Sequence, residues 1–280
     1  MSSVEGERGI KRILVAVDAS PSSLMALEAA AELAASLGAE LLGLFIEDIN
    51  LLRLGDVPFV REVGVSTGSV RQVDLPSIQR QLRAQASQAR RQLFRLAQSM
   101  GLHWSFRVAR GVIERELLEA ASEADLLILG RRGWSGSRHL GSTAQTLITQ
   151  GPSVTLIMER RVKLEPTVLM LYDGSPSAQK ALRMAADLVR KRRGYLIVAI
   201  LAIEEEEARR LQTEAGLWLR SQHLQARYRW MMEEDERLIA ELVRSEGGCM
   251  LVLPGEIPML HGERLKAVVD RLHCPVMVVR

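Results

Sequence analysis

The stretch ILVAVDASPSSLMALEAAAELA, residues 13–34, returns 155 positions later as VLMLYDGSPSAQKALRMAADLV, residues 168–189. Identical residues fall at Asp18 and Asp173, Ser20 and Ser175, Pro21 and Pro176, Ser22 and Ser177, and at Ala26, Leu27, Ala30, Ala31 and Leu33 with their partners Ala181, Leu182, Ala185, Ala186 and Leu188. In each copy an apolar run meets a turn and then an alanine-rich amphipathic run, the pattern of a strand feeding a helix. LLILG at 126–130 pairs in the same way with LVLPG at 251–255, and PSVTLIM from Pro152 pairs with PVMVV from Pro275. By LLILG the offset has dropped to 125, so the second copy is about thirty residues shorter in its middle. The chain is therefore expected to hold two units, 1–160 and 166–280, with the charged stretch ERRVKLEP (159–166) at their junction.

Composition agrees with two ordinary globular units. Hydrophobic residues make up 47% and charged residues 25% of the 280, and each unit is long enough to bury a core of its own. The excess of 37 basic over 34 acidic residues is only +3, too small to argue for nucleic acid. No apolar run approaches the roughly 20 residues of a membrane span, and MSSVEGERGIKR lacks the apolar stretch of a secretory signal. The expectation is a soluble cytoplasmic protein without a membrane partner. Cys249 and Cys274 show no CxxC or Cys/His spacing, so both are expected to be buried core thiols rather than parts of a disulfide framework or zinc site.

The first unit reads as strand Arg12–Val17, a turn at 18–22, a helix stopped by Gly38, and a second strand Glu40–Asp48. Residues Asn50–Ser77 then break the alternation as a long irregular segment carrying Leu51, Leu52, Leu54, Phe59 and Val60. A helix Ile78–Met100 follows, broken by Gly101, then a strand at Trp104–Ala109, a helix at Ile113–Ala121 and a strand at Asp125–Leu129. A short helix after Gly141 and a last strand Ser153–Met158 complete the unit. In the second unit, strands are expected at Thr167–Tyr172, Tyr195–Ala202, Gln225–Trp230, Gly248–Leu253 and Pro275–Val279, although residues 204–230 read equally well as one long helix. Alternating strands and helices predict an α/β fold: two tandem, open, mostly parallel five-stranded sheets flanked by helices.

Chemistry concentrates after the fourth strand, in GRRGWSGSRHLGSTAQTL. Gly130, Gly133, Gly136 and Gly141 allow close backbone approach, and free N–H groups ahead of a helix suit phosphate oxygens. Ser142 and Thr143 add hydroxyls, while Arg131, Arg132 and Arg138 add positive charge. Asp18 ends another strand of the same sheet, where a carboxylate can accept from a base or a ribose hydroxyl. The other reading of Asp18 and Asp173 is an Asx turn or helix cap, and that of Gly130 and Gly133 is a tight strand-to-helix connection. Both readings stand at this point.

With the VDASP turn, the apolar strand ending in Gly130, the G-x2-G spacing to Gly133, the later GST and the closing PSVTLIM in view, the chain resembles tandem universal stress protein domains. The resemblance is strongest over 11–47 and 105–158 and weaker from 167. It implies a nucleotide-binding pattern G-x2-G-x9-G-S/T, with Asp18, Ile46, Gly130, Gly133, Gly141 and Ser142 as contacts of ATP or another adenine nucleotide, with magnesium. It also implies pairing of the two units through their last strands, an intrachain pseudo-dimer, with a homodimer of chains as a further possibility. This chain departs from the pattern, because seven residues rather than nine separate Gly133 from Gly141. In the second unit Gly255 matches Gly130, but Pro258 takes the place of Gly133 and no Gly-Ser pair follows, so that unit is expected to lack the site.

No Walker A or dinucleotide fingerprint occurs, which argues against a motor-type NTPase or a hydride-transfer enzyme; slow hydrolysis of a bound ATP is a third, less favoured reading, since no motif places a general base. His103, His139, His223, His261 and His273 are scattered without metal or triad spacing. The arginines of the long helix and the acidic run Glu204–Glu207 read as solvated faces. Two functions remain open: a cytoplasmic stress-associated regulator binding an adenine nucleotide in its first unit, or a nucleotide-free module that docks an unknown protein partner through residues 50–77.

Overall fold

A computed structural model describes residues 9–18, 20–54, 61–63, 70–72, 74–131, 142–151, 154–158, 164–232, 235–258 and 263–280. The first half contains β1 Arg12–Ala16, α1 Pro21–Leu37, β2 Glu40–Asp48, α2 Ile49–Leu54, β3 Arg61–Val63, β4 Val70–Gln72, α3 Leu75–Met100, β5 Trp104–Gly111, α4 Ile113–Ala121, β6 Leu126–Gly130, α5 Ser142–Gln150 and β7 Val154–Met158. The second contains β8 Val168–Tyr172, α6 Pro176–Arg192, β9 Leu196–Leu201, α7 Glu205–Ser221, β10 Ala226–Met231, α8 Glu236–Ser245, β11 Met250–Pro254, α9 Glu263–Arg271 and β12 Val276–Val279.

Ten of these strands form one sheet in the order β10-β9-β8-β11-β12-β7-β6-β1-β2-β5. The two halves use the same internal order, and every pairing in the sheet is parallel except the one where they meet. There β12 runs antiparallel to β7, with Val276 opposite Ile157 and Val279 opposite Val154. The expected α/β class and largely parallel strands are what the chain adopts, but the two five-stranded sheets are continuous. Edge-to-edge pairing satisfies the backbone groups of two strands that would otherwise be open edges. Strands β7, β8, β9, β11 and β12 are buried along their whole length, as strands covered on both faces must be, which accounts for their unbroken apolar sequences. The outermost strands β5 and β10 instead alternate exposed and half-buried residues.

Helices α1, α3, α6 and α7 cover one face of the sheet, and their side chains share one continuous apolar core with β1, β2, β8 and β9. Helices α4, α5, α8 and α9 supply the apolar core of the other face. Both cores run through both halves.

Two expectations need correction. Residues 50–77 are not simply a long irregular segment: α2 continues directly from β2, and β3 and β4 form a small antiparallel ladder pairing Arg61 with Gln72. Runs of three residues are too short to show periodicity. Helix α3 also begins at Leu75 rather than Ile78, because Asp74 accepts from the Ser77 amide at 2.9 Å and the helix has proline in its first turn, where a missing N–H costs nothing. In the second half, residues 204–230 resolve into helix α7 and strand β10, not one long helix.

Candidate functional site

The repeated DxSPS motif is first of all a turn and a helix cap. Asp18 Oδ1 accepts from the Ser20 amide at 2.9 Å, and Ser20 Oγ accepts from the Ser23 amide at 3.2 Å. Ser23 Oγ donates to the Ser20 carbonyl at 3.1 Å and accepts from the Asp18 amide at 3.3 Å. The second copy repeats the core of this arrangement: Asp173 Oδ1 accepts from the Ser175 amide at 3.0 Å, and Ser175 Oγ from the Ala178 amide at 3.1 Å. These bonds satisfy first-turn amides that have no helical partner, so both copies of the motif have a folding role irrespective of any ligand.

Gly130 closes β6 against the start of α1. A Cβ placed there would stand 2.7 Å from Ser22 Oγ and 2.9 Å from the Ser22 carbonyl carbon and oxygen. The glycine is thus required for close strand-helix packing, whatever else passes over it.

On the opposite face, a cavity of about 150 Å³ opens at the carboxyl ends of β1, β2 and β6, beneath α4 and α5. Ala16, Val17, Asp18 and Ser23 come from the first turn, Leu44 and Ile46 from β2, Ile113 and Leu117 from α4, Leu129, Gly130 and Arg131 from the end of β6, and Thr143 and Ala144 from α5. Strand β1 is flanked by β2 on one side and β6 on the other. That is the switch point where open parallel sheets hold ligands.

Of the candidate residues, the cavity brings together Asp18, Ile46, Gly130, Arg131 and Thr143, and Ser142 opens α5 beside them. Arg132, Gly133 and Gly141 lie outside the described residues. Two of the gathered side chains are engaged elsewhere. Thr143 Oγ1 donates to Glu114 Oε1 at 2.9 Å, tying α5 to α4. Arg131, 3% exposed, borders the cavity but aims its guanidinium into the second half, donating to the Leu272 carbonyl at 2.8 Å and to Asp270 at 3.4 Å. There it clamps the carbonyl end of α9. Arg280 makes the reciprocal contact, donating to the Gly151 carbonyl just past α5 at 3.3 Å. Cations at helix carboxyl ends are favoured by the helix dipole.

Sequence reasoning missed most of the cavity wall. Leu44 shares the strand parity of Ile46, and Ile113 and Leu117 stand four apart on α4, so alternation and helical period were the available signals. In the second half the corresponding region differs. Glu256 follows Gly255 where Arg131 follows Gly130, a Cβ on Gly255 would meet Arg280 Cγ rather than a helix turn, and Ile257 is fully buried in the same apolar core as Leu171, Leu201 and Leu253.

Residues 9–158 match the family model described as "Universal stress protein family". The chain belongs to the universal stress protein family. Its fold also resembles solved members over nearly its full length. A universal stress protein from Archaeoglobus fulgidus is 17% identical, with a TM-score of 0.76, over 96% of this chain and 98% of that one. A putative universal stress protein from Pseudomonas aeruginosa is 14% identical, with a TM-score of 0.57, over 96% and 93%. A universal stress protein solved in complex with cAMP is 23% identical over 54% of this chain and 99% of that one, with a TM-score of 0.38. No curated protein matches the sequence. Among the described residues, no helix of this universal stress protein is long and apolar enough to cross a membrane.

Proposed function

We propose that this chain is a cytoplasmic, stress-associated regulator whose first half binds an adenine nucleotide, and whose second half serves as its structural partner in an intrachain pseudo-dimer. The observation that carries this reading is the cavity at the switch point, which gathers Asp18, Ile46, Gly130 and Thr143 from four separate elements. Leu44, Ile46, Ile113 and Leu117 offer apolar walls to a planar base, and Asp18 offers an acceptor for a ribose hydroxyl. With Arg131 engaged on α9, cationic support for the phosphates falls to Arg132, Arg138 and magnesium, in the stretch that is two residues shorter than the family pattern. Weak affinity for the phosphates is the expected consequence.

One observation favours the alternative of a nucleotide-free interaction module acting through residues 50–77: the cavity, at about 150 Å³, falls below the roughly 300–1,000 Å³ of typical small-molecule sites. Calorimetric titration with ATP, ADP and AMP at physiological magnesium separates the two. The nucleotide reading expects saturable binding that is lost in Ile46→Trp, which fills the cavity, and weakened in Gly133→Val. Absence of heat with all three nucleotides, and of any nucleotide in extracts of protein purified without added ligand, overturns it.

A further inference from the structure

The two cysteines, which the sequence marks only as separate core thiols, are neighbours across the sheet. Cys249 immediately precedes β11, and Cys274 stands two residues before β12. The parallel register pairs Leu251 with Val276, and the ladder extends backward through the Leu251 amide, which donates to the Pro275 carbonyl at 2.9 Å. Two further steps back on each strand set Cys249 opposite Cys274. Both share the strand parity of Leu251 and Val276, and both lie in the apolar core of the α8 and α9 face. Neighbouring strands are about 4.8 Å apart, within the roughly 4.4–6.8 Å between Cα atoms that a disulfide accepts. Both thiols are free and buried.

We propose that Cys249 and Cys274 are a redox site, closing reversibly to an intramolecular disulfide when the protein meets a hydroperoxide.

The surroundings assign unlike roles to the two sulfurs. Hydrogen bonding between them lowers the pKa of Cys249 and raises that of Cys274, which makes Cys249 the readier thiolate. Burial and, from the end of α8, Glu246 oppose this at Cys249, and the positive charge of Arg131 opposes it at Cys274 from across the seam. Cys249 also directly follows the exposed turn Gly247–Gly248, whose φ angles are +71° and +115°. That exposed turn lies one residue along the chain from the thiol. The Cys249 thiolate attacks one peroxide oxygen, forming S–O as O–O breaks, and the departing hydroxide takes up the thiol proton as water. The Cys274 sulfur then attacks the sulfenic sulfur, forming S–S as S–O breaks. The second oxygen leaves as water with the Cys274 proton, so two thiols and one peroxide become one disulfide and two waters. Because Cys274 lies two residues past Leu272, whose carbonyl receives Arg131, the bond forms beside the clamp between the halves.

The test uses the full-length reduced chain, treated with hydrogen peroxide, denatured, and alkylated with N-ethylmaleimide before mass analysis. The expected result is an intact mass lower by about 2 Da with no alkylation at either cysteine, a cross-linked 249–274 peptide, and recovery of both thiols with a dithiol reductant. Cys249→Ser and Cys274→Ser should each abolish the cross-link, with Cys→Ala at the same positions as the alternative pair should either serine variant fold poorly. Full alkylation of both cysteines after peroxide, irreversible addition of oxygen to one of them, or covalent dimers on a non-reducing gel would each overturn the proposal. This outcome is independent of whether the first half binds nucleotide.

Discussion

The two halves end their corresponding helices with the same backbone but different residues. In the first half α1 and α3 stop at Gly38 and Gly101, with φ of 67° and 64°. In the second half the left-handed positions after α6 and α7 are taken by Arg193 at 53° and His223 at 55°. The N-terminal ends of the matched helices α1 and α6 tell the opposite story, since the Asp-Ser-Pro turn and cap are retained in both with nearly the same hydrogen bonds. What the halves share is the strand-to-helix turn that builds the fold; where they differ are the residues at the left-handed helix ends and those around the cavity. A half held in place by its neighbour can carry such strain.

The seam itself should show the largest effect. Val276 is buried in β12 opposite Ile157 of β7, and Val276→Asp would place a carboxylate between two apolar strands. We expect a loss of about 4 kcal/mol or more. Urea unfolding should then split into two transitions, the second half melting first. Val108→Asp on the outer strand β5, where the residue is half exposed, is the control and should change little. A single transition with an unmoved midpoint in the Val276 variant would mean that the halves do not support one another.

Glycines at the ends of β6 and β11 should differ by an effect of intermediate size. At Gly130 an added methyl meets the backbone of Ser22, which cannot move without shifting α1, whereas at Gly255 the nearest atom is Cγ of Arg280, a side chain that can turn away at the expense of its Gly151 contact, and the nearest backbone atom, the Val279 oxygen, is 3.1 Å away. Gly130→Ala should cost about 2–3 kcal/mol and Gly255→Ala distinctly less. Urea midpoints of the two variants check this. Equal costs would show that Gly130 is not held by packing, and would return it to a purely ligand-facing role.

How much of this was legible beforehand depends on the range of the interaction. Strand Glu40–Asp48 and helix Ile113–Ala121 could be bounded from the sequence because strand composition, alternation, helical period and breaking residues are local signals. The turn at Asp18 was legible for the same reason, though only as one of two readings. By contrast, nothing near Arg131 in the chain indicates that it donates to the carbonyl of Leu272. The facing of Cys249 and Cys274 likewise follows from the register of two strands, not from any spacing. The antiparallel joining of β7 to β12 could be raised only through family resemblance, since two apolar terminal strands do not by themselves say which edge each will choose.

The helix ends give a smaller effect of opposite sign. Arg193→Gly and His223→Gly relieve a left-handed conformation that side chains disfavour, and each should stabilise the protein by about 1 kcal/mol. Gly38→Arg and Gly101→His should cost a similar amount in the first half. Thermal or chemical midpoints of the four variants test the symmetry. If the second-half glycines gave no gain, the arginine and histidine would have to be held by contacts that offset the backbone strain.

The smallest effect separates the starts of α3 and α7. Asp74 caps α3 through its carboxylate, and hydrogen bonding to Ser77 lowers its pKa below the ordinary 3.8, while Glu204 at the matching place before α7 makes no side-chain cap bond. A carboxyl whose folded pKa lies below its unfolded value stabilises the folded state fully above the unfolded value, and that contribution disappears as pH falls through the folded one. Amide exchange at Ser77 should therefore quicken as pH is lowered past 3.8, relative to the Ser23 amide, whose cap Ser20 carries no charge. The start of α7, where no side chain caps the first-turn amides, is the uncapped comparison. Asp74→Asn, which keeps an acceptor oxygen without a titrating group, should flatten the profile at Ser77. A step that survives this substitution would place its origin elsewhere in α3 and leave the two helix starts indistinguishable by charge.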